Sequence, residues 1–220
     1  MDTLITFVRH GSNDFIKESA FWHPGPKLNK KGIKEAEKTG KYLSDVSFDV
    51  VLTSDMNRAR QTAEIINKHQ VKQKRKKDFK NIVIIRHLAE HDQSIYGKCP
   101  QGKKARQEFD LELDKAEKTI KFFKRAIKKY SGKKILIVAH GNVIRACLGF
   151  CFGYELRKSP ELNLFNCSLS SVFFRKNKLK SVFHINAIDH CHDVKFNNKL
   201  ASVKFISDYS ILVNGKSGHK

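Results

Sequence analysis

At 220 residues with 40 % hydrophobic content, the chain is sized for one domain with a sizeable core. Its 43 Lys and Arg outnumber 22 Asp and Glu, and the net charge of +21 favours anionic partners (phosphorylated substrates, nucleic acid or a membrane surface), although scattered lysines also read as a solvated face. No apolar run approaches the roughly 18 residues of a membrane span, no basic-then-apolar leader follows Met1, and the five irregularly spaced cysteines are expected as reduced thiols in a cytoplasmic chain without membrane association.

The first strand signal covers residues 4–8, an apolar run that breaks off into Arg9-His10-Gly11. A helix follows, with Asn29 as its N-cap and Ile33, Ala36, Gly40 and Leu43 at helical spacing. Residues 48–53 read as the second strand, and Ser54 opens a helical stretch in which Ala59, Ala63 and Ile66 share a face. Residues 68–80 (KHQVKQKRKKDFK) read as a basic surface loop leading to a third strand at 82–85. A long charged helix over about 103–130 carries Leu113, Ala116, Ile120, Phe123 and Ile127 as its stripe and stops at Gly132. The fourth strand, 135–139, ends in His140-Gly141, and a helix over 142–152 begins at once. Residues 170–174 and 181–185 form a strand pair turning at Lys176-Asn177.

Strands alternating with helices predict an α/β chain, a three-layer α/β/α sandwich with a mostly parallel central sheet. One domain over residues 1–193 is expected, followed by a basic C-terminal extension over 194–220 that is partly disordered. In such sheets ligands collect beyond the carboxyl ends of the strands. Two strands ending in His-Gly, one preceded by arginine, therefore suggest two imidazoles and a guanidinium converging on an anion.

Arg9-His10-Gly11 after an N-terminal strand resembles the signature of the histidine phosphatase superfamily, the phosphoglycerate mutase-like proteins. Residues 28–36 (LNKKGIKEA) are similar to the segment L-T-x-x-G-x-x-Q-A, and residues 54–63 (SDMNRARQTA) to S-x-x-x-R-A-x-Q-T-A. Leu88-Ala89-Glu90 with Gly97 resembles the acid loop, L-x-E…G, and Ala139-His140-Gly141 with Val143-Ile144-Arg145 the second His-Gly motif. Residues 185–190 (INAIDH) look like the closing N-x-x-x-H, so the resemblance covers roughly residues 3–193. It implies a phosphoglycerate mutase-like fold and no metal. Two positions depart from the pattern. The asparagine six residues after the first histidine is Ile16 here, with Asn13 or Ser12 as substitutes, and W-E-G after the acid loop is replaced by Cys99-Pro100-Gln101-Gly102.

Neutral imidazole is nucleophilic near neutral pH and takes a phosphoryl group on one nitrogen while a hydrogen bond holds the other, so His10 is the expected nucleophile. Preorganised cations stabilise the charge spread over a transferring phosphoryl group. Arg9, Arg58 and His140, with Asn13, are the expected phosphate ligands, the guanidinium forks suiting phosphate oxygens and Arg58 lying near a helix start. Glu90 is the expected proton donor and acceptor, with Asp92, Glu108 and Glu112 as other carboxylates nearby. The reading is a cofactor-free, metal-independent phosphomonoester hydrolase acting on a phosphorylated small molecule or phosphoprotein. A phosphoglycerate mutase and an inactive phosphate-binding scaffold are the alternatives. A short lid over 92–102 is expected to admit water and favour hydrolysis, since family mutases are expected to carry a much longer insertion between the acid loop and the second His-Gly, where this chain has only residues 90–140. His190-Cys191-His192-Asp193 looks metal-like, but adjacent residues rarely ligate one ion. Cys147 and Cys151 read as core. The basic stretch 68–80 holds only Phe79 for stacking, so no specific nucleic acid is expected.

Overall fold

The computed structural model describes residues 1–14, 23–72 and 82–190. In chain order these form β1 (Asp2–Arg9), α1 (Lys30–Tyr42), β2 (Val50–Thr53), α2 (Asn57–Lys72), β3 (Ile82–Ile84), α3 (Lys103–Lys129), β4 (Lys134–Ala139), α4 (Gly141–Cys151), β5 (Leu169–Arg175) and β6 (Lys178–Ala187). The six strands make one sheet in the order β3-β2-β4-β1-β5-β6. Its first four strands run parallel, while β5 and β6 are antiparallel additions joined by a tight turn. Lys176 and Asn177, both at positive φ, make that turn where the sequence places it.

Alternation along β4 builds the layers. Ile135 and Ile137 face one side, where they pack with Phe123 and Ile127 of α3 and with Val143, Ile144, Cys147 and Leu148 of α4. Leu136 and Val138 face the other, against Ala59, Ala63 and Ile66 of α2 and against Leu43 and Phe48. A strand covered on both faces needs an unbroken apolar run, and that is what residues 135–139 supply. The sandwich is therefore α1 and α2 on one face, α3 and α4 on the other.

Local signals explain the element ends. The Asn29 side chain accepts from the Gly32 N–H at 2.9 Å and caps α1. Gly132, at φ +85°, lets the chain leave α3 and turn into β4. Three expectations need correcting. Ile33 is 40 % exposed; Ala36, Gly40 and Leu43 are buried as the spacing predicts, and Gly32, Glu35 and Thr39 complete the buried side of α1 in its place. The polar Glu35 and Thr39 are tolerated there because both are hydrogen-bonded. The helix after β2 starts at Asn57, because Ser54 uses its hydroxyl to accept from the Met56 N–H in a turn. The basic stretch expected as a loop over 68–80 begins as helix, since α2 runs through Lys72; its remainder lies outside the described residues, as do Ile16 and the extension 194–220.

Backbone meets backbone where α1 approaches the turn after β1. A Cβ on Gly32 would sit 1.9 Å from the Ser12 carbonyl oxygen, and one on Gly11 would sit 2.5 Å from the Gly32 carbonyl oxygen. Neither neighbour is a side chain able to swing aside. Gly32→Ala is therefore expected to destabilise the fold by about 3 kcal/mol, the upper range for overpacking, as read by the urea midpoint.

Candidate active site

The register of β1 against β4 brings the two histidines together. β1 and β4 are parallel neighbours with Arg9 opposite Ala139 and the His10 N–H donating to the Ala139 carbonyl at 2.9 Å. The next residue of each strand is histidine, and the imidazole centroids lie 5.1 Å apart at 60°. β2 flanks β4 on the other side, and the Ser54 N–H donates to the Val138 carbonyl at 3.1 Å. Ser54, His140 and His10 thus stand in a row on the carboxyl edge, where strand order reverses around β4 and β1.

The His10 ring is held in one tautomer. Its Nδ1 lies 2.8 Å from the Gly11 carbonyl, which can only accept, so Nδ1 carries the proton and Nε2 keeps its lone pair. Arg58, in the first turn of α2, donates its Nε–H to that lone pair at 3.1 Å. Burial, followed by the Arg58 and Arg9 charges, holds the His10 pKa well below the ordinary histidine value, so the ring is neutral at pH 7. His140, fully buried, pairs through Nε2 with the Ser54 hydroxyl at 2.9 Å. Its Nδ1 has no hydrogen-bond partner and lies 4.0 Å from Glu90 Oε2. Burial, then Arg58, His10 and Arg9, lower its pKa as well.

Arg9 leaves the end of β1 and donates through Nη1 to the Leu164 carbonyl. Its Nε is buried and without a hydrogen-bond partner. Glu90 is 12 % exposed, and burial raises its pKa to about 7 against the opposing pull of Arg58, Arg9 and the backbone N–H groups of Asn142 and His91. A carboxyl poised near neutrality beside two arginines and two neutral imidazoles can hold or release a proton at physiological pH.

The structure brings Arg9, His10, Arg58, Glu90 and His140 to one pocket. The amide of half-buried Asn13 donates to the Asp14 carbonyl at 3.5 Å. Ser12, the other substitute, gives both its N–H and its hydroxyl to Glu35, at 2.7 and 2.9 Å. The other carboxylates of the acid-loop region are engaged elsewhere. Asp92 caps the Ser94 N–H of the 3-10 turn Gln93–Tyr96, and Glu112 accepts from the Asp92 N–H and Lys115. Glu108 lines an outer groove.

Several supporting residues escaped sequence reasoning. Ser54 orients His140, and Thr62 accepts from the Gly11 N–H at 3.0 Å. Both sit inside the 54–63 segment already singled out, but nothing in the sequence says which side chains point inward. Asn166 donates to the His10 carbonyl at 2.9 Å, and no local pattern marks it. The closing segment gains a physical role. Asn186 holds the Phe165 N–H and the Asn163 carbonyl, and His190 binds the Cys167 carbonyl, fixing the loop that receives Arg9. Among the described residues no group of three His, Cys, Asp or Glu could hold a metal ion, and Cys191, His192 and Asp193 lie outside them.

Comparison with known proteins gives the chain its relatives. The family described as histidine phosphatase superfamily (branch 1) matches residues 5–187. A Bacillus subtilis protein named uncharacterized phosphatase PhoE is 29 % identical over 189 residues, 80 % of this chain and 91 % of the relative. A 2,3-bisphosphoglycerate-dependent phosphoglycerate mutase of Methylorubrum extorquens is 26 % identical over 184 residues, 74 % of this chain and 86 % of the mutase. Among solved structures, Bacillus stearothermophilus YhfR superposes with a TM-score of 0.65 at 21 % identity, covering 86 % of this chain and 100 % of that one, which speaks to the fold. Since the alignment takes in 86 % of that mutase, a long insertion does not separate it from this chain, and the length argument against a mutase lapses.

Proposed function

The chain belongs to the histidine phosphatase superfamily, and from that premise we propose that it hydrolyses phosphomonoesters through a phosphohistidine on His10. One observation carries the reading: a buried, neutral imidazole whose Nδ1 is committed to the Gly11 carbonyl, leaving the Nε2 lone pair beside Arg58 and 5.1 Å, ring to ring, from His140.

In the first half-reaction Nε2 attacks phosphorus and the phosphorus–oxygen bond to the leaving group breaks, with Glu90 giving its proton to the departing alkoxide. A phosphate oxygen replaces Nε2 as the acceptor for Arg58, freeing the lone pair to attack. Arg9, Arg58 and a His140 Nδ1–H, set by donation of the Ser54 hydroxyl to Nε2, take up charge on the equatorial oxygens. In the second half, water attacks phosphorus, the nitrogen–phosphorus bond breaks and Glu90 recovers the proton. Inorganic phosphate and the starting enzyme result. The charge-stabilising work is assigned to side chains, so no divalent metal or other cofactor is required. The thiols of Cys99, Cys147, Cys151 and Cys167 are free, which supports a reducing, cytoplasmic setting. No described helix is long and apolar enough to cross a membrane.

The test is phosphate release from a panel of phosphorylated small molecules and phosphopeptides. Activity is expected to survive EDTA and to be blocked by vanadate; loss on chelation with rescue by a divalent metal would point to a metal hydrolase instead. The mutase relatives keep a second reading in view. On 3-phosphoglycerate with a trace of 2,3-bisphosphoglycerate, release outrunning isomerisation would support the hydrolase, and the reverse ratio would favour the mutase.

A further inference from the structure

Asn142 follows the second His-Gly pair, in the first turn of α4, and touches the acid loop in two ways. Its side-chain amide donates to the His91 carbonyl at 2.9 Å. Its own carbonyl accepts from the Tyr96 hydroxyl at 3.2 Å, and that hydroxyl also meets His91 Nε2 at 3.3 Å. Arg145, one helical turn further along α4, lies 3.6 Å above the Tyr96 ring and is itself held by the Ser159 carbonyl at 2.8 Å. One face of α4 therefore grips the loop just after Glu90, at His91 and Tyr96, while His140 starts the same helix.

We propose that Asn142 is a positioning residue, which fixes the Glu90 carboxyl relative to His140 through its hydrogen bond to the His91 carbonyl. The inference rests on the reading of Glu90 as proton donor. The side chain suits the task. The acceptor is a carbonyl, so a donor of this reach is needed; aspartate would set a carboxylate against it, and alanine or serine would fall short. The helix does not depend on this bond, since Val143, Ile144, Ala146, Cys147 and Leu148 bury its other face. What depends on it is the angle at which the acid loop presents Glu90. A general acid works only within hydrogen-bond reach of the leaving oxygen, and a displacement near 1 Å costs about 10²-fold in rate.

Leaving-group dependence separates positioning from a structural role. A p-nitrophenolate departs with little help from a proton, whereas phenolate needs one, and the two phosphate esters are nearly the same size. Asn142→Ala and Tyr96→Phe would be compared with the parent and Glu90→Gln on phenyl phosphate and p-nitrophenyl phosphate. For Asn142→Ala the expected kcat loss is about thirtyfold on phenyl phosphate and about threefold on the nitro ester, with KM little changed. Tyr96→Phe is expected to show the same bias at smaller size, and it carries the test should Asn142→Ala fail to fold. Equal losses on the two esters in these variants, with Glu90→Gln still separating them, would overturn the role of Asn142 alone. No separation in Glu90→Gln would overturn the reading of Glu90 and this proposal with it.

Discussion

His10→Ala should lower turnover by about 10⁴-fold or more, the scale seen when a catalytic nucleophile is removed. The reason lies in how the other candidates are committed. His140 Nε2 is paired with the Ser54 hydroxyl, which leaves the proton on Nδ1, so neither ring nitrogen offers a free lone pair. Arg9 and Arg58 stay protonated despite lowered pKa values and offer no lone pair. That leaves the His10 Nε2 as the one buried neutral nitrogen whose partner, Arg58, is a donor that a phosphate oxygen can take over. Rapid quench of the parent enzyme with labelled phosphomonoester should trap protein-bound phosphate that is labile in acid and stable in alkali, and His10→Ala should trap none. Retained turnover in the alanine variant would remove the covalent mechanism. Trapped label in that variant would move the nucleophile to His140.

The parts of this site that were legible in the sequence are those set by strand ends and charge. Apolar runs breaking into His10-Gly11 and His140-Gly141 announce two buried parallel strands, because a run buried on both faces is what a central parallel strand requires, while their being neighbours is seen only in the sheet order. The four helices followed from spacing and from caps such as Asn29. What stayed hidden is side-chain direction and hydrogen-bond commitment. Ser12 and Asn13 both looked available to phosphate, yet Glu35, a buried carboxylate, claims Ser12, and the Asn13 amide donates to the Asp14 carbonyl. Ile33 fitted the apolar stripe of α1, but the neighbouring Gly32 is what meets the 11–12 turn, backbone to backbone, and that orientation leaves Ile33 40 % exposed. Polar residues such as Ser54, Thr62 and Asn166 have no periodicity to reveal them; their roles exist only once three strand ends and a loop have been brought together.

Glu90→Gln should separate what the site does from what it costs the fold. A buried carboxyl raised from 4.5 to about 7 is half ionised near neutral pH, so proton donation should fade as pH rises through 7. Removing the proton should cut kcat on esters with poor leaving groups by about 10²–10³-fold and abolish that alkaline limb. Stability should move the other way. The folded state holds the Glu90 proton more tightly than the unfolded chain, so this group favours folding fully below pH 4.5 and loses that contribution as pH climbs through about 7. The shift corresponds to about 3 kcal/mol, so above pH 8 the glutamine variant should be the more stable protein by up to that amount, with little difference at pH 4.5. His10 and His140 act at the opposite end. Their lowered pKa values mean the unfolded chain binds protons more readily, so stability should fall as pH drops below 6.5 in both parent and variant. Urea midpoints from pH 5 to 9 would therefore show the parent declining on both sides and the variant declining on the acid side alone. Equal alkaline declines in parent and Glu90→Gln would mean that the carboxyl is already solvated, and with it that its pKa is too ordinary to donate a proton at neutral pH.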